Sequence, residues 1–132
     1  MAPRFDLIGI AVTDMARSLD FYRRLGLDIP AEADSEAHVE LTLPGGLRLA
    51  WDDVAMIRTF HPHWTAPTGS PRTGLAFRCA DPAEVDRTWT ELTVAGFHGE
   101  LPPWDAFWGQ RYAVLHDPDG NGVDLYAPLD AG

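Results

Sequence analysis

The chain repeats itself, and the repeat limits what it can fold into more than any other feature. Residues 5–13 read as a strand, with Ile8, Ile10 and Val12 on one face and Leu7, Gly9 and Ala11 on the other. Asp14 then caps a helix whose apolar stripe is Met15, Leu19, Tyr22 and Leu25, and Gly26 is placed to end it. Residues 39–43, a Pro44-Gly45-Gly46 turn and residues 47–51 follow as a hairpin. From Thr73 the order begins again. Residues 74–80 form a strand with Leu75, Phe77 and Cys79 on one face. Asp81, Pro82 and Glu84 open a helix with the stripe Val85, Trp89 and Leu92, closed by Gly96. An offset of 67 residues carries Asp14 onto Asp81 and Tyr22 onto Trp89, and an offset of 74 carries the first turn onto Pro118-Asp119-Gly120.

The second hairpin is the most sharply written part of the chain. Residues 111–115 contain the β-formers Tyr112 and Val114, residues 117–122 supply turn chemistry, and residues 123–126 alternate apolar with polar. Val123 and Leu125 therefore face the helix layer, and Asp124 and Tyr126 face the opposite way. Two strand–helix–hairpin halves imply an α+β fold of duplicated βαβββ modules. The expected organisation is a single domain over 1–132, with module one at about 4–52, a connection at 53–72 and module two at about 73–129.

Composition removes several classes of function. A formal net charge of -10 argues against nucleic acid and is compatible with cationic partners. All ten basic residues are Arg, so neither a Schiff-base lysine nor a P-loop lysine is available. No apolar run reaches membrane-spanning length and no N-terminal leader pattern precedes the first strand, so the expectation is a cytoplasmic protein with no membrane partner. No G-x-S-x-G motif occurs, and the single Cys79 falls on the helix-packing face, where an inert thiol is expected.

The segments 14–27 (DMARSLDFYRRLGL), 75–86 (LAFRCADPAEVD) and above all 108–126 (WGQRYAVLHDPDGNGVDLY) resemble the vicinal oxygen chelate superfamily, which includes glyoxalase I, extradiol dioxygenases, fosfomycin-resistance enzymes and bleomycin-resistance proteins. The resemblance implies paired βαβββ modules in a half-open barrel and a homodimer. It also implies four metal-ligand positions, a His or Gln on each module's first strand and a Glu near the end of each last strand. Here these positions fall on Leu7, Gly74, Ala50 and Asp124. Asp124 alone could hold a metal, and one carboxylate is too few, so the expectation is no metal and no cofactor. His61 and His63 flank Pro62 in the connection without supporting ligands, and His38, His98 and His116 read as scattered surface or turn residues.

The sheet face that holds metal in other members would here show mostly small residues, with Arg78, Asp124 and Tyr126 among them. Arg78 and Asp124 are expected either to pair or to meet a ligand, and Arg111 is a third charged candidate. Trp104, Phe107 and Trp108 are expected in a loop, either as a plug over the sheet or as a stacking wall, with Trp51 and Trp64 as possible additions. Bleomycin-resistance proteins are similar in this run. The expectation is a small-molecule binding protein, without metal, taking an aromatic or cationic organic molecule in the cleft between its sheets. The alternative is a glyoxalase-like lyase or dioxygenase-related enzyme with Asp124 as the catalytic base, helped by Tyr126 or Tyr112 as proton donor, or with an unrecognised metal site.

Overall fold

The computed structural model describes residues 2–131, and their contacts divide near Pro67 into two units, with the short stretch Arg24–Gly26 counted with the second. The first unit contains β1 (Leu7–Val12), α1 (Met15–Arg24), a 3-10 turn at Ala31–Ser35, β2 (His38–Thr42), β3 (Arg48–Asp53) and α2 (Val54–Phe60). The second contains β4 (Gly74–Arg78), α3 (Pro82–Val94), β5 (His98–Ala106), β6 (Gln110–His116) and β7 (Gly122–Pro128). The architecture is α+β, with sheet orders β1-β3-β2 and β4-β7-β6-β5.

In each unit the opening strand lies parallel to the hairpin's last strand, and the repeat extends to the register. Leu7 pairs with Arg48 in one sheet and Gly74 with Gly122 in the other, the same positions under the 67- and 74-residue offsets. The helix starts repeat as well. Asp14 accepts from the Arg17 amide at 3.1 Å, and Asp81 accepts from the Glu84 amide at 2.8 Å. Each bond satisfies one of the amides that a helix start leaves without a partner.

Alternation sorts the sheet faces as the sequence implies. Ile10, Val12, Leu49 and Trp51 are buried in the first unit, where Tyr22 of α1 meets the Trp51 ring edge-on at 5.5 Å. Val85, Leu92, Ala113, Leu115, Val123 and Leu125 are buried in the second. Arg23 anchors the chain after α1 through Ile29 O, Pro30 O and Asp34, at 2.8, 2.6 and 2.8 Å.

Two elements depart from the expectation. The connection at 53–72 holds α2, whose first turn is capped by the Asp53 carboxylate accepting from Ala55 N at 2.7 Å. At seven residues it is too short to show helical periodicity. The supposed loop around Trp104 is partly strand, because Trp104, Asp105 and Ala106 lie on β5 and only Phe107, Trp108 and Gly109 turn. Pro102 and Pro103 and two register shifts against β6 obscure the strand pattern, and β5 is an edge strand, where prolines are tolerated.

Beneath β5, Gly99 faces α3. A Cβ built there would stand 2.5 Å from the Trp89 ring and 2.8 Å from Thr93 Cγ2. Gly99→Ala is expected to cost about 1–3 kcal/mol by overpacking, read as a lower urea midpoint at unchanged slope. An unchanged midpoint would show that α3 and β5 do not meet this closely.

On the face of the first sheet away from Trp51, His38 lies between two carboxylates. One ring nitrogen meets Asp52 and the other meets Glu40 at 2.7 Å. Arg48 bonds Glu40 at 2.8 Å and also pairs with Asp6. Hydrogen bonds to Asp52 and then Glu40 raise the His38 pKa above its ordinary 6.5, while those from His38 and Arg48 lower that of Glu40. The His38 contribution to stability is therefore present below about pH 6.5 and lost as pH rises through the folded-state value. In an NMR titration the His38 ring should show a midpoint above 6.5 that falls toward 6.5 in Asp52→Asn. A native midpoint at or below 6.5 would mean that the two carboxylates do not hold the imidazolium.

Candidate functional site

Five aromatic side chains gather at one end of the second sheet. Trp104 lies opposite Tyr112, and Tyr112 lies opposite Tyr126, so three adjacent strands present rings to the same face. Tyr112 and Tyr126 stack with centroids 6.5 Å apart and planes 27° from parallel. Trp104 meets Tyr112 edge-on at 5.6 Å, Trp108 meets Tyr112 at 5.2 Å, and Phe107 meets Trp108 at 5.0 Å. At the turn the Trp108 ring is held through its Nε1, which donates to Gln110 Oε1 at 2.7 Å. Phe107 is 97% exposed and Trp108 48% exposed, so the array ends in solvent.

Asp124 lies on the same face. Its carboxylate accepts a short hydrogen bond from the Tyr112 hydroxyl. Burial first, and then the bond and charge of Asp124, push the Tyr112 pKa up to about 12. Tyr112 is thus a neutral hydroxyl donor at physiological pH, bonded to the Asp124 carboxylate. The arrangement offers flat apolar surface with one anionic point beside it, suited to stacking and to a cation.

The remaining expected residues lie elsewhere. Trp51, expected at the ligand, is fully buried in the first unit's core. Its strand parity places it with Leu49 on the core-facing side. Trp64 belongs to the first unit, where the Arg58 guanidinium sits over its ring at 5.7 Å. Arg111 points to the helix side, bonding Asp86 at 2.9 Å and Asp105 at 3.0 Å. Among the described residues no ion pair joins Arg78 to Asp124. The register sets Arg78 beside Tyr126, whereas Ala76 is the β4 neighbour of Asp124.

The register also tests the family's four metal-ligand positions. Next to Asp124 stands Gly74, whose absent side chain would come within 3.9 Å of both carboxylate oxygens. In the first unit Leu7 and Ala50 occupy the corresponding positions. One carboxylate, already bonded by Tyr112, does not fit the several-ligand site of Zn²⁺ or Fe²⁺.

The histidines are less scattered than their spacing implies. His98 and His116 face each other across β5 and β6, with ring centroids 5.1 Å apart, and both approach Glu100. The H-x-E spacing at 98–100 is the sequence signal for one half of this cluster. His116 could not be added without the β5–β6 register, which the prolines hide.

Comparison with known proteins agrees with this architecture. Residues 4–125 match the family model for the Glyoxalase/Bleomycin resistance protein/Dioxygenase superfamily. A glyoxalase/bleomycin resistance protein/dioxygenase from Nocardioides is 26% identical, with a TM-score of 0.70, covering 100% of this chain and 87% of its own. A protein of unknown function from Agrobacterium tumefaciens is also 26% identical, with a TM-score of 0.69 and coverage of 98% and 97%. A family enzyme from Burkholderia phytofirmans, at 18% identity, has a TM-score of 0.78 over 96% of this chain and 100% of its own, a likeness of fold. No curated protein matches this sequence. Matched over nearly its whole length, the chain belongs to the Glyoxalase/Bleomycin resistance protein/Dioxygenase superfamily.

Proposed function

We propose that the protein binds a small aromatic or cationic organic molecule on the ring-lined face of its second sheet, with no metal at the family's four ligand positions. The observation that carries this reading is that Trp104, Trp108, Tyr112, Tyr126 and Asp124 share one face. Stacking on such rings contributes about 0.5–1.5 kcal/mol per pair beyond burial. A ligand cation at Asp124 adds a charge-assisted bond of about 1.5–3 kcal/mol. The net charge of -10 draws cations toward the protein generally. Phe107 and Trp108, exposed at the turn, are apolar surface that a second copy in a homodimer would cover.

A second reading has one observation in its favour. The short Tyr112–Asp124 bond joins a carboxylate base to a hydroxyl donor, the pair that a lyase-type proton transfer needs. The two readings separate on turnover.

Quenching of tryptophan fluorescence should rise to saturation in a screen of aromatic compounds that includes the planar cation proflavine and neutral anthracenemethanol. Trp108→Ala should weaken the binding of both kinds of compound. Asp124→Asn should weaken cations about tenfold, roughly 1.4 kcal/mol, and leave neutral aromatics little changed. The absence of any saturable ligand, or native affinity in both variants, would overturn the binding reading, and consumption of a ligand abolished by Asp124→Asn would favour the enzyme.

A further inference from the structure

We propose that His98, Glu100 and His116 form a binding site for a divalent transition-metal ion, at the opposite end of the β6 face from the ring array. One donor atom from each of the three residues lies within 4.8 Å of the others. His98 Nε2 is 2.9 Å and His116 Nε2 3.4 Å from the same Glu100 oxygen. Ligands about 2.0–2.2 Å from a tetrahedral ion stand roughly 3.3–3.5 Å apart, so small side-chain rotations would place an ion among them.

The fold holds these groups in place before any ion arrives. His98 and His116 are directly opposed partners of an antiparallel pair. Glu100 is the extra residue of a β-bulge, because Gly99 pairs with Leu115 and Leu101 with Val114. A bulge re-aims a side chain, and this one brings the carboxylate between the imidazoles. On the reverse side Gly99 lies against Trp89 and Thr93 so closely that it admits no side chain. Packing on α3 thus fixes the strand between the two β5 ligands.

The donor set also indicates which ions fit. Two imidazoles and one carboxylate suit Zn²⁺, Ni²⁺ and Cu²⁺, whereas Mg²⁺ and Ca²⁺ require mostly oxygen. Three protein ligands leave at least one coordination position for water or another small ligand. The site uses β5 and β6, not the β4 and β7 positions of Gly74 and Asp124. Tyr112 and His116 are four residues apart on β6, roughly 13 Å along a strand, so the ion and a ligand on the rings would not compete.

Isothermal titration of the full chain with Zn²⁺ should show one saturable site per chain, with Mg²⁺ giving none. Zn²⁺ should also raise the melting temperature, since a ligand of the folded state alone stabilises it. The double variant His98→Gln/His116→Gln should lose the saturable site, and His61→Gln/His63→Gln should keep it. Should the first variant fail to fold, two-imidazole nitrogen coupling in the Cu²⁺ EPR spectrum of the native chain, lost in Glu100→Gln/His116→Gln, would serve instead. Absence of saturable Zn²⁺ binding, or binding that survives loss of His98 and His116, would overturn the proposal.

Discussion

The second module depends on one buried carboxylate. Asp117, 3% exposed, accepts from the amides of Asp119 and Asn121 and from the Asn121 side chain, at 3.0, 2.9 and 2.9 Å. These bonds replace water for a charge taken out of solvent, and they close the β6–β7 turn in a single register. That register places Tyr112 opposite Tyr126, Val114 opposite Asp124 and His116 opposite Gly122. A slip of one residue in β7 would turn Asp124 and Tyr126 toward α3, away from Tyr112, and bring Val123 and Leu125 into their places. The ring array, the Tyr112–Asp124 bond and the position of His116 thus share one cause.

Acidic side chains are numerous, and many have assigned partners. Asp6 and Glu40 share Arg48, Asp86 and Asp105 share Arg111, and Asp34 holds Arg23. The sheet faces away from the cores carry different chemistry. The first unit's face carries an imidazole between carboxylates, while the second unit's carries rings, one carboxylate and a histidine pair. A repeat that preserves strand register does not preserve the residues at equivalent positions, and this is how one architecture supports distinct chemistries.

Legibility varied with the range of the interaction. Helix caps at Asp14 and Asp81, the turn at 117–122 and the inward faces of β1, β4 and β7 are set by residues close in sequence, and they were readable. Helix α2 is not legible because its seven residues are too few to show helical periodicity. Strand β5 was missed because its prolines and bulges break the period-two pattern. Of the expected ligand residues, Trp104, Phe107, Trp108, Asp124 and Tyr126 come together, whereas Trp51 is buried in the first unit's core and Arg111 bonds Asp86 of α3.

By itself the sequence determined the duplicated α+β plan, the family, the presence of only one carboxylate among its metal-ligand positions and the position of Asp124 away from the helix layer. Each follows from periodicity, local capping or residue identity, which need no partner strand. Tertiary structure decided that Asp124 is held by Tyr112 rather than Arg78, that Trp51 is core, and that His98, Glu100 and His116 converge. These outcomes depend on which residues stand opposite one another across strands. That register is set by long-range pairing and by a bulge of one residue, neither of which local sequence records.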